Sequence, residues 1–422
     1  MRLFTHKPKV TVTVKQRVPT TCYPTAVGST IFHRQLRTTM ASCKSMPISP
    51  AASAVSKASF SLVLGALTGS TSPQGCFLSP LSIVYALSLA LNGAGPKSPT
   101  HAELLRVIAG DNGHVSESEL NSELGRAMAL MNGQCASKNG PSSEMVLANS
   151  LWTRGMTLKK AYVDSMKSLF QATASEAING AKDINDWVEG ATRGMIKDLI
   201  QTENFHAVLA NAIYFKGLWE HAFKPELTQQ GEFTTHSGQP KMVPMMHQLF
   251  DGPAKTLKGV RKEGLYDAIS LPYKGDVFSA VALLPAVGVD MATAFEDWAR
   301  GPQEFQPIRR VKIVMPKFKV SSQLSLKPVL KEMGVEVAFT VAADFTRMAD
   351  GGLFISDVVH KAVVEVDEEG TVAAAATAVM MLRCVPAPPE EIIFNRPFAF
   401  MIYHNPTNLP AFVGVVHDPV AA

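Results

Sequence analysis

The 422-residue sequence predicts a globular chain that mixes helices and strands around one core. Helix-period apolar patterns crowd the stretch from Phe60 to Leu199, whereas Gly231 to Val320 reads as strand and turn. No internal repeat and no linker separates the two. Apolar residues at 46% and charged residues at 18% are ordinary globular values, so the chain can bury such a core. No apolar run reaches the ~18 residues a membrane helix needs. The longest, Ser82 to Leu91, has the length of a core helix.

Taken in order, the spacing Phe60, Leu62, Val63, Leu64, Ala66, Leu67 predicts a first helix. Ser79-Pro80 opens a second, with the serine as cap and proline at the first position, and Asn92-Gly93 ends it. Residues 102–132 read as helical and Ala136–Ser143 as a polar loop. A strand over Met145–Trp152 leads into a helix at 159–170. Ile184, Trp187, Val188, Met195 and Leu199 form an apolar stripe on a helix spanning 183–199. Val208–Phe215 is a strand apolar on both faces. The segments FTTH, TLKGVRK, AISLPY and VFSAVALLP are strands, followed by a helix at 290–299. An alternating strand covers Val311–Val320, and a short helix covers Ser325–Met333. Phe398–Tyr403 and Ala411–Val416 form a hairpin around Asn405-Pro406-Thr407-Asn408.

The most informative stretch is 353–385. Val358, Val359, Ala362, Val363, Val364 and Val366 make a strand that Asp367-Glu368-Glu369-Gly370 breaks. The run from Thr371 through Ala373, Ala374, Ala375 and Ala376 to Leu382 has, by propensity alone, the composition of an exposed helix.

Charge is unevenly placed. Residues 1–57 hold nine Lys/Arg and no acid, leaving 31 basic against 36 acidic residues in the remainder. The body therefore has no nucleic-acid footprint. The basic, Ser/Thr-rich extension is expected to be a disordered tail, an organelle import segment, or an over-long start with Met40 or Met46 as the true first residue. Five cysteines without CxxC spacing argue against a disulfide framework and a zinc site. No Asn-x-Ser/Thr sequon occurs, Asn405 being followed by proline. A cytoplasmic location is expected first and an extracellular one second.

Enzyme motifs are absent from the sequence. Gly93-Ala94-Gly95-Pro96-Lys97-Ser98 lacks the glycine spacing of a phosphate loop and puts proline where an N–H donor is needed. There is no GxSxG, no HExxH and no useful Cys/His pairing. Asp367-Glu368-Glu369, as adjacent carboxylates in a turn, reads as a solvated group.

Several segments together resemble one family. The sequence EEGT (Glu368–Thr371) followed by small residues, some way before Phe394-Asn395-Arg396-Pro397-Phe398, is similar to the hinge of a serpin reactive loop. Phe77-Leu78-Ser79-Pro80-Leu81-Ser82-Ile83 resembles the start of the family's helix B. Asp183-Ile184-Asn185-Asp186-Trp187-Val188 and Met195–Ile200 resemble its helix F region. Ala210–Trp219, Met315-Pro316-Lys317-Phe318 and Ala343-Asp344-Phe345 are close to further family segments, and the resemblance covers roughly 58–419.

The resemblance implies an α+β serpin domain over 58–422 with three sheets and about nine helices, following the extension 1–57. It turns the reading of 371–382 from helix to exposed reactive loop, about 368–389. It implies a suicide inhibitor of serine proteases, not an enzyme, working as a monomer and needing no cofactor. Hinge residues are then Glu368, Glu369, Gly370, Thr371 and Ala373 to Ala376. Ser79, Ser82, Asn211 and His360 match a buried polar cluster, the shutter. Trp219 and Lys317 match the breach at the top of the central sheet, with a Lys317–Glu368 ion pair worth under ~1 kcal/mol if exposed. The reactive bond is Arg383-Cys384, as in intracellular, ovalbumin-type serpins, or the one after Cys384. A trypsin-like target follows from arginine, an elastase-like or cysteine protease from Cys384. A non-inhibitory chaperone or carrier is the other alternative. A heparin-type cofactor is disfavoured, since 101–126 carries only Arg106 and Arg126 against five acids.

Overall fold

The computed structural model describes residues 75–110, 115–134, 143–251, 257–301, 303–370 and 388–419. All lie in one compact unit, Ser49–Ala422. The helix expected from Phe60, the hinge beyond Gly370 and both candidate reactive-bond residues, Arg383 and Cys384, fall outside the described residues.

Three sheets form the frame, as the resemblance implied. The central one orders β12 (Phe318–Ser325), β13 (Asp357–Val366), β4 (Ala207–Lys216), β2 (Glu144–Thr153) and β3 (Thr173–Glu176). A four-stranded sheet orders β14 (Glu390–Ile393), β11 (Arg310–Pro316), β6 (Pro240–Asp251) and β5 (Gln229–Thr234). A seven-stranded sheet orders β1 (Gly75–Leu78), β16 (Leu409–Val416), β15 (Phe398–His404), β9 (Phe278–Pro285), β8 (Tyr266–Pro272), β7 (Leu257–Lys262) and β10 (Gln306–Ile308). The described residues hold seven α-helices: α1 (Pro80–Gly93), α2 (Pro99–Ala109), α3 (Glu117–Gln134), α4 (Lys160–Phe170), α5 (Ala181–Ala191), α6 (Met291–Ala299) and α7 (Lys327–Glu332).

Helix α1 is apolar all round and, Asn92 apart, wholly buried, which is what an interior helix requires. The Ser79 hydroxyl caps it by accepting from Ser82 N–H at 3.1 Å. Phe77, Phe318, Phe398 and Phe400 interlock beneath it, with centroids 5.3 to 6.4 Å apart, and join the central sheet to the seven-stranded one. A second apolar cluster lies between the central sheet and α5. Ile184, Val188, Ile196, Leu199 and Ile200 there cover Val208, Ala210, Ala212 and Val363.

Four expectations need correction. Residues 102–132 are not one helix but α2 and α3, because Gly110 leaves α2 at a positive φ of 74°. Helix 183–199 stops at Ala191. Thr192, fully buried, donates to Val188 O at 2.7 Å and accepts from Ile196 N–H at 3.0 Å, and Arg193 and Gly194 turn the chain at positive φ. Met195, placed on the apolar stripe, is 46% exposed. Val311–Val320 is two strands in different sheets: Pro316 ends β11, and at Lys317 the chain crosses to β12. Strands β1, β3, β6, β10 and β14 went unrecognised; β6 carries two prolines, Pro240 and Pro244, which masked its pattern.

Thr192→Val keeps the shape of the buried side chain and leaves Ile196 N–H without its acceptor. A loss of about 1–3 kcal/mol in unfolding free energy is expected, read as a lower urea midpoint at unchanged slope.

Candidate functional site

The central sheet contains one parallel pair in its middle. β13 pairs with β4 from Asp357↔Val208 to Val363↔Tyr214, while their outer neighbours β12 and β2 run antiparallel to them. Parallel ladders are slightly weaker per residue than antiparallel ones, so among the inner strand pairs of the sheet this is the weaker line, the other parallel pair, β2 with β3, lying at its edge. The β-branched run 358–366 and the apolar run 208–215 supply the two strands, each buried on most of its length.

One rung of side chains crosses that line. His360 on β13 is opposite Asn211 on β4, and Asn211 is opposite Asn149 on β2. All three are buried, His360 and Asn211 completely. The Ser79 backbone N–H donates to His360 Nε2 at 3.0 Å, which fixes the tautomer. His360 Nδ1–H then donates to Asn211 Oδ1. Asn211 Nδ2 donates to Ser82 O at 2.8 Å, and also contacts Ser82 Oγ and Asn149 Oδ1. Ser79, Ser82, Asn211 and His360 are thus brought together beneath the start of α1. Asn149 was missed, because a lone asparagine in a strand gives no signal until its opposite residue is known. Its Nδ2 is the one amide donor in the rung without a hydrogen-bond partner.

Burial pushes the His360 imidazolium down to about pKa 3, so the ring is neutral near neutral pH. No charge is therefore carried in the rung. A neutral polar rung suits strands that separate, since each group can exchange one hydrogen bond for another without leaving an apolar void.

Above the rung, the chain leaves β13 into a turn over Asp367–Gly370. Asp367 Oδ1 accepts from the N–H groups of Glu369 at 3.0 Å and Gly370 at 3.1 Å. Three successive carbonyls dock on the segment after β4. Trp219 Nε1 donates to Asp367 O at 3.1 Å, Phe223 N–H to Glu368 O at 2.7 Å, and Trp219 N–H to Glu369 O at 2.9 Å. The indole is held flat against Tyr273, centroids 4.4 Å apart. Gly370, at φ 132°, bridges to Leu218, and a Cβ there would lie 2.2 Å from Gly217 O. Only glycine fits this position.

Glu368 is not the solvated carboxylate the sequence suggested. Its side chain is 11% exposed, held by Lys317 Nζ at 3.0 Å and the Thr228 hydroxyl at 2.8 Å. Burial raises its pKa, but the hydroxyl and the ammonium outweigh that and keep it below the ordinary value. Because Lys317 is itself only 25% exposed, the low worth of an exposed pair does not apply. Losing either partner strands a shielded charge. Lys317 can reach Glu368 because it sits at the corner between β11 and β12, beside the top of β13.

The neutral His360 makes stability pH-dependent with a definite sign. Between its ordinary pKa of 6.5 and about 3, the unfolded chain binds a proton that the folded chain refuses. Stability is therefore full above pH 6.5 and falls by about 1.4 kcal/mol per unit below it. In urea unfolding followed from neutral pH to about pH 5, His360→Gln is expected to be less stable at neutral pH but to lose less per pH unit than the parent. Equal slopes would mean that His360 does not titrate as described.

Comparison with known proteins places this geometry. The family model described as Serpin (serine protease inhibitor) matches residues 55–419. Iris of Ixodes ricinus is 32% identical over 376 residues, covering 83% of this chain and 94% of that protein. Leukocyte elastase inhibitor A of Mus musculus is 33% identical over 391 residues, covering 85% and 97%. The solved structure of a thyroxine-binding globulin complex with thyroxine superposes with a TM-score of 0.75 at 25% identity, covering 87% and 99%. Match length, identity and sheet architecture agree, and the chain belongs to the serpin family.

Proposed function

We propose that this serpin inhibits a trypsin-like serine protease by letting it cut the bond between Arg383 and Cys384 and then trapping it as an acyl-enzyme. The observation that carries this is the seam between β4 and β13, with the segment that follows Gly370 attached at its top and composed of residues small enough to fill it. The protease hydroxyl attacks the Arg383 carbonyl carbon. The C–N bond to Cys384 breaks, the amine leaves with the C-terminal part, and an ester to Arg383 remains.

The cut frees the segment beginning at Thr371 to enter the central sheet antiparallel to both neighbours. One parallel ladder is thereby exchanged for two antiparallel ones. Ordering ~12 residues costs ~12–24 kcal/mol, and two ladder bonds per residue at about 1 kcal/mol each return a comparable sum. A single buried charge, at several kcal/mol, is enough to stall insertion. Thr371 through Ala378 include none. A guanidinium matches the buried carboxylate of a trypsin-like pocket, which favours Arg383 over Cys384 as the specificity residue.

Two other readings have support of their own. Thyroxine-binding globulin shares the fold, which keeps a ligand-carrying role in view, and leukocyte elastase inhibitor A points to an elastase-like target reached through Cys384. The inhibitor is proposed to act as a monomer. The cytoplasm is the favoured compartment, on the missing sequons and the odd cysteine count.

Incubation with a panel of serine proteases, followed by denaturing electrophoresis, separates inhibitor from carrier: the proposal expects a stable covalent complex. Thr371→Arg is expected to convert the inhibitor into a substrate that is cleaved without complex, with native stability unchanged. Full-stoichiometry complexes from that variant contradict insertion. Mass spectrometry of the peptide released by trypsin is expected to show a fragment beginning at Cys384. One beginning at Val385, or trypsin inhibition that survives Arg383→Ala, overturns the assignment of Arg383.

A further inference from the structure

We propose that Asn149 stores part of the strain that drives insertion, by holding a buried amide donor without an acceptor until the seam opens. This rests on the inhibitory reading above and adds to it a residue on β2, one strand away from the seam.

Two backbone groups force the orientation of every amide in the rung. Ser79 N–H donates to His360 Nε2 at 3.0 Å, so the ring proton sits on Nδ1 and goes to Asn211 Oδ1. Ser82 O accepts from Asn211 Nδ2 at 2.8 Å and fixes the same amide from its other end. Asn211 Nδ2 also faces Asn149 across the β4–β2 pair, and only the oxygen of Asn149 can meet it. Asn149 Nδ2 is left over. The residue is 3% exposed, and no protein atom accepts from that nitrogen. Turning the Asn149 amide over would set two Nδ2 donors against each other, so rotation does not relieve it.

A buried donor without a partner destabilises the native state. Insertion removes that penalty. Adjacent strands lie about 4.8 Å apart, so a strand between β4 and β13 moves His360 about twice that distance from Asn211 and withdraws its proton from Asn211 Oδ1. Asn149 and Asn211 stay opposite each other, because β2 and β4 are not parted. Asn211 Oδ1, no longer aimed at His360, is then free to turn and accept from Asn149 Nδ2. One Asn211 Nδ2 hydrogen still goes to Asn149 Oδ1 and the other to Ser82 O. The molecule already contains such a two-way amide pair: Asn92 and Asn121 donate to each other at 3.0 and 2.8 Å. His360 is not stranded in exchange. Counting antiparallel from Val366 opposite Thr371 sets Thr377 opposite His360. Thr377 is the one residue between Val372 and Leu382 whose hydroxyl can accept from Nδ1–H. The native rung carries one unpaired donor and the inserted rung none.

Asn149→Leu removes the unpaired donor at similar side-chain volume, and Asn211 Nδ2 keeps Ser82 O and Ser82 Oγ for its two hydrogens. Guanidinium unfolding of the full chain, intact and after its loop is cut by a metalloprotease that forms no acyl-enzyme and so is not trapped, tests the proposal. The parent is expected to gain stability on cleavage. If it gains none, insertion itself fails, and the inhibitory reading falls together with this one. Given that gain, Asn149→Leu is expected to raise the folded-to-unfolded ratio of the intact form about fivefold. The cleaved form, which loses its two-way pair, is not expected to rise, so the gain on cleavage shrinks. More inhibitor molecules should also be consumed per trypsin complex. A gain on cleavage equal to or larger than the parent's overturns the role given to Asn149 and leaves the inhibitory reading standing. Should Asn149→Leu not fold, Asn149→Ser removes the amide donor and keeps an oxygen for Asn211, and it is read by the same difference.

Discussion

The hydrogen bond from His360 to Asn211 spans the seam on which the behaviour of this fold depends. It sits at the middle of the one parallel pair in the body of the central sheet, fully buried, with the first turn of α1 closing over it through Ser79 and Ser82. Holding that line with apolar side chains alone would make parting it a matter of opening a cavity. Holding it with a charged group would add a desolvation cost in both states. A neutral imidazole and two amides avoid both. The same burial that keeps His360 uncharged ties the strength of the seam to pH.

The upper end is controlled differently. There the backbone of 367–369 is captured by donors from Trp219 and Phe223, and a shielded Lys317–Glu368 pair clamps the turn. Lys317 reaches the site only because β11 and β12 belong to different sheets and meet at its position. The chain feature that broke the strand expectation at 311–320 is the one that builds the clamp.

Much of this was legible in the sequence, and the exceptions have physical reasons. The β-branched run 358–366 and the apolar run 208–215 announced the two central strands by composition, and Ser79-Pro80 announced α1 by its cap. Ser79, Ser82, Asn211 and His360 were singled out only through resemblance, since nothing local marks a polar residue whose partners lie hundreds of positions away. Asn149 escaped even that. The overlong helix at 183–199 followed from an apolar period that does continue past Thr192, but in an irregular strap whose Ile196, Leu199 and Ile200 are buried without helical geometry. Propensity reads the alanine run after Gly370 as helix, and only the family resemblance turned that reading to an exposed loop.

The anchorage of Gly370 at Leu218 also fixes which molecule a strand can come from. A segment tethered within a few residues of an opening reaches it with an effective concentration on the order of millimolar. A like segment on a second molecule has only its bulk concentration, about a thousandfold lower in a micromolar solution, so in the insertion proposed above the tether favours the molecule's own segment. That advantage depends on the tether starting at the mouth of the seam. With a Cβ at 370 pressing on Gly217 O, the bridge cannot keep its register. In the proposed mechanism, the preference for a molecule's own sheet over a neighbour's thus rests on a residue with no side chain.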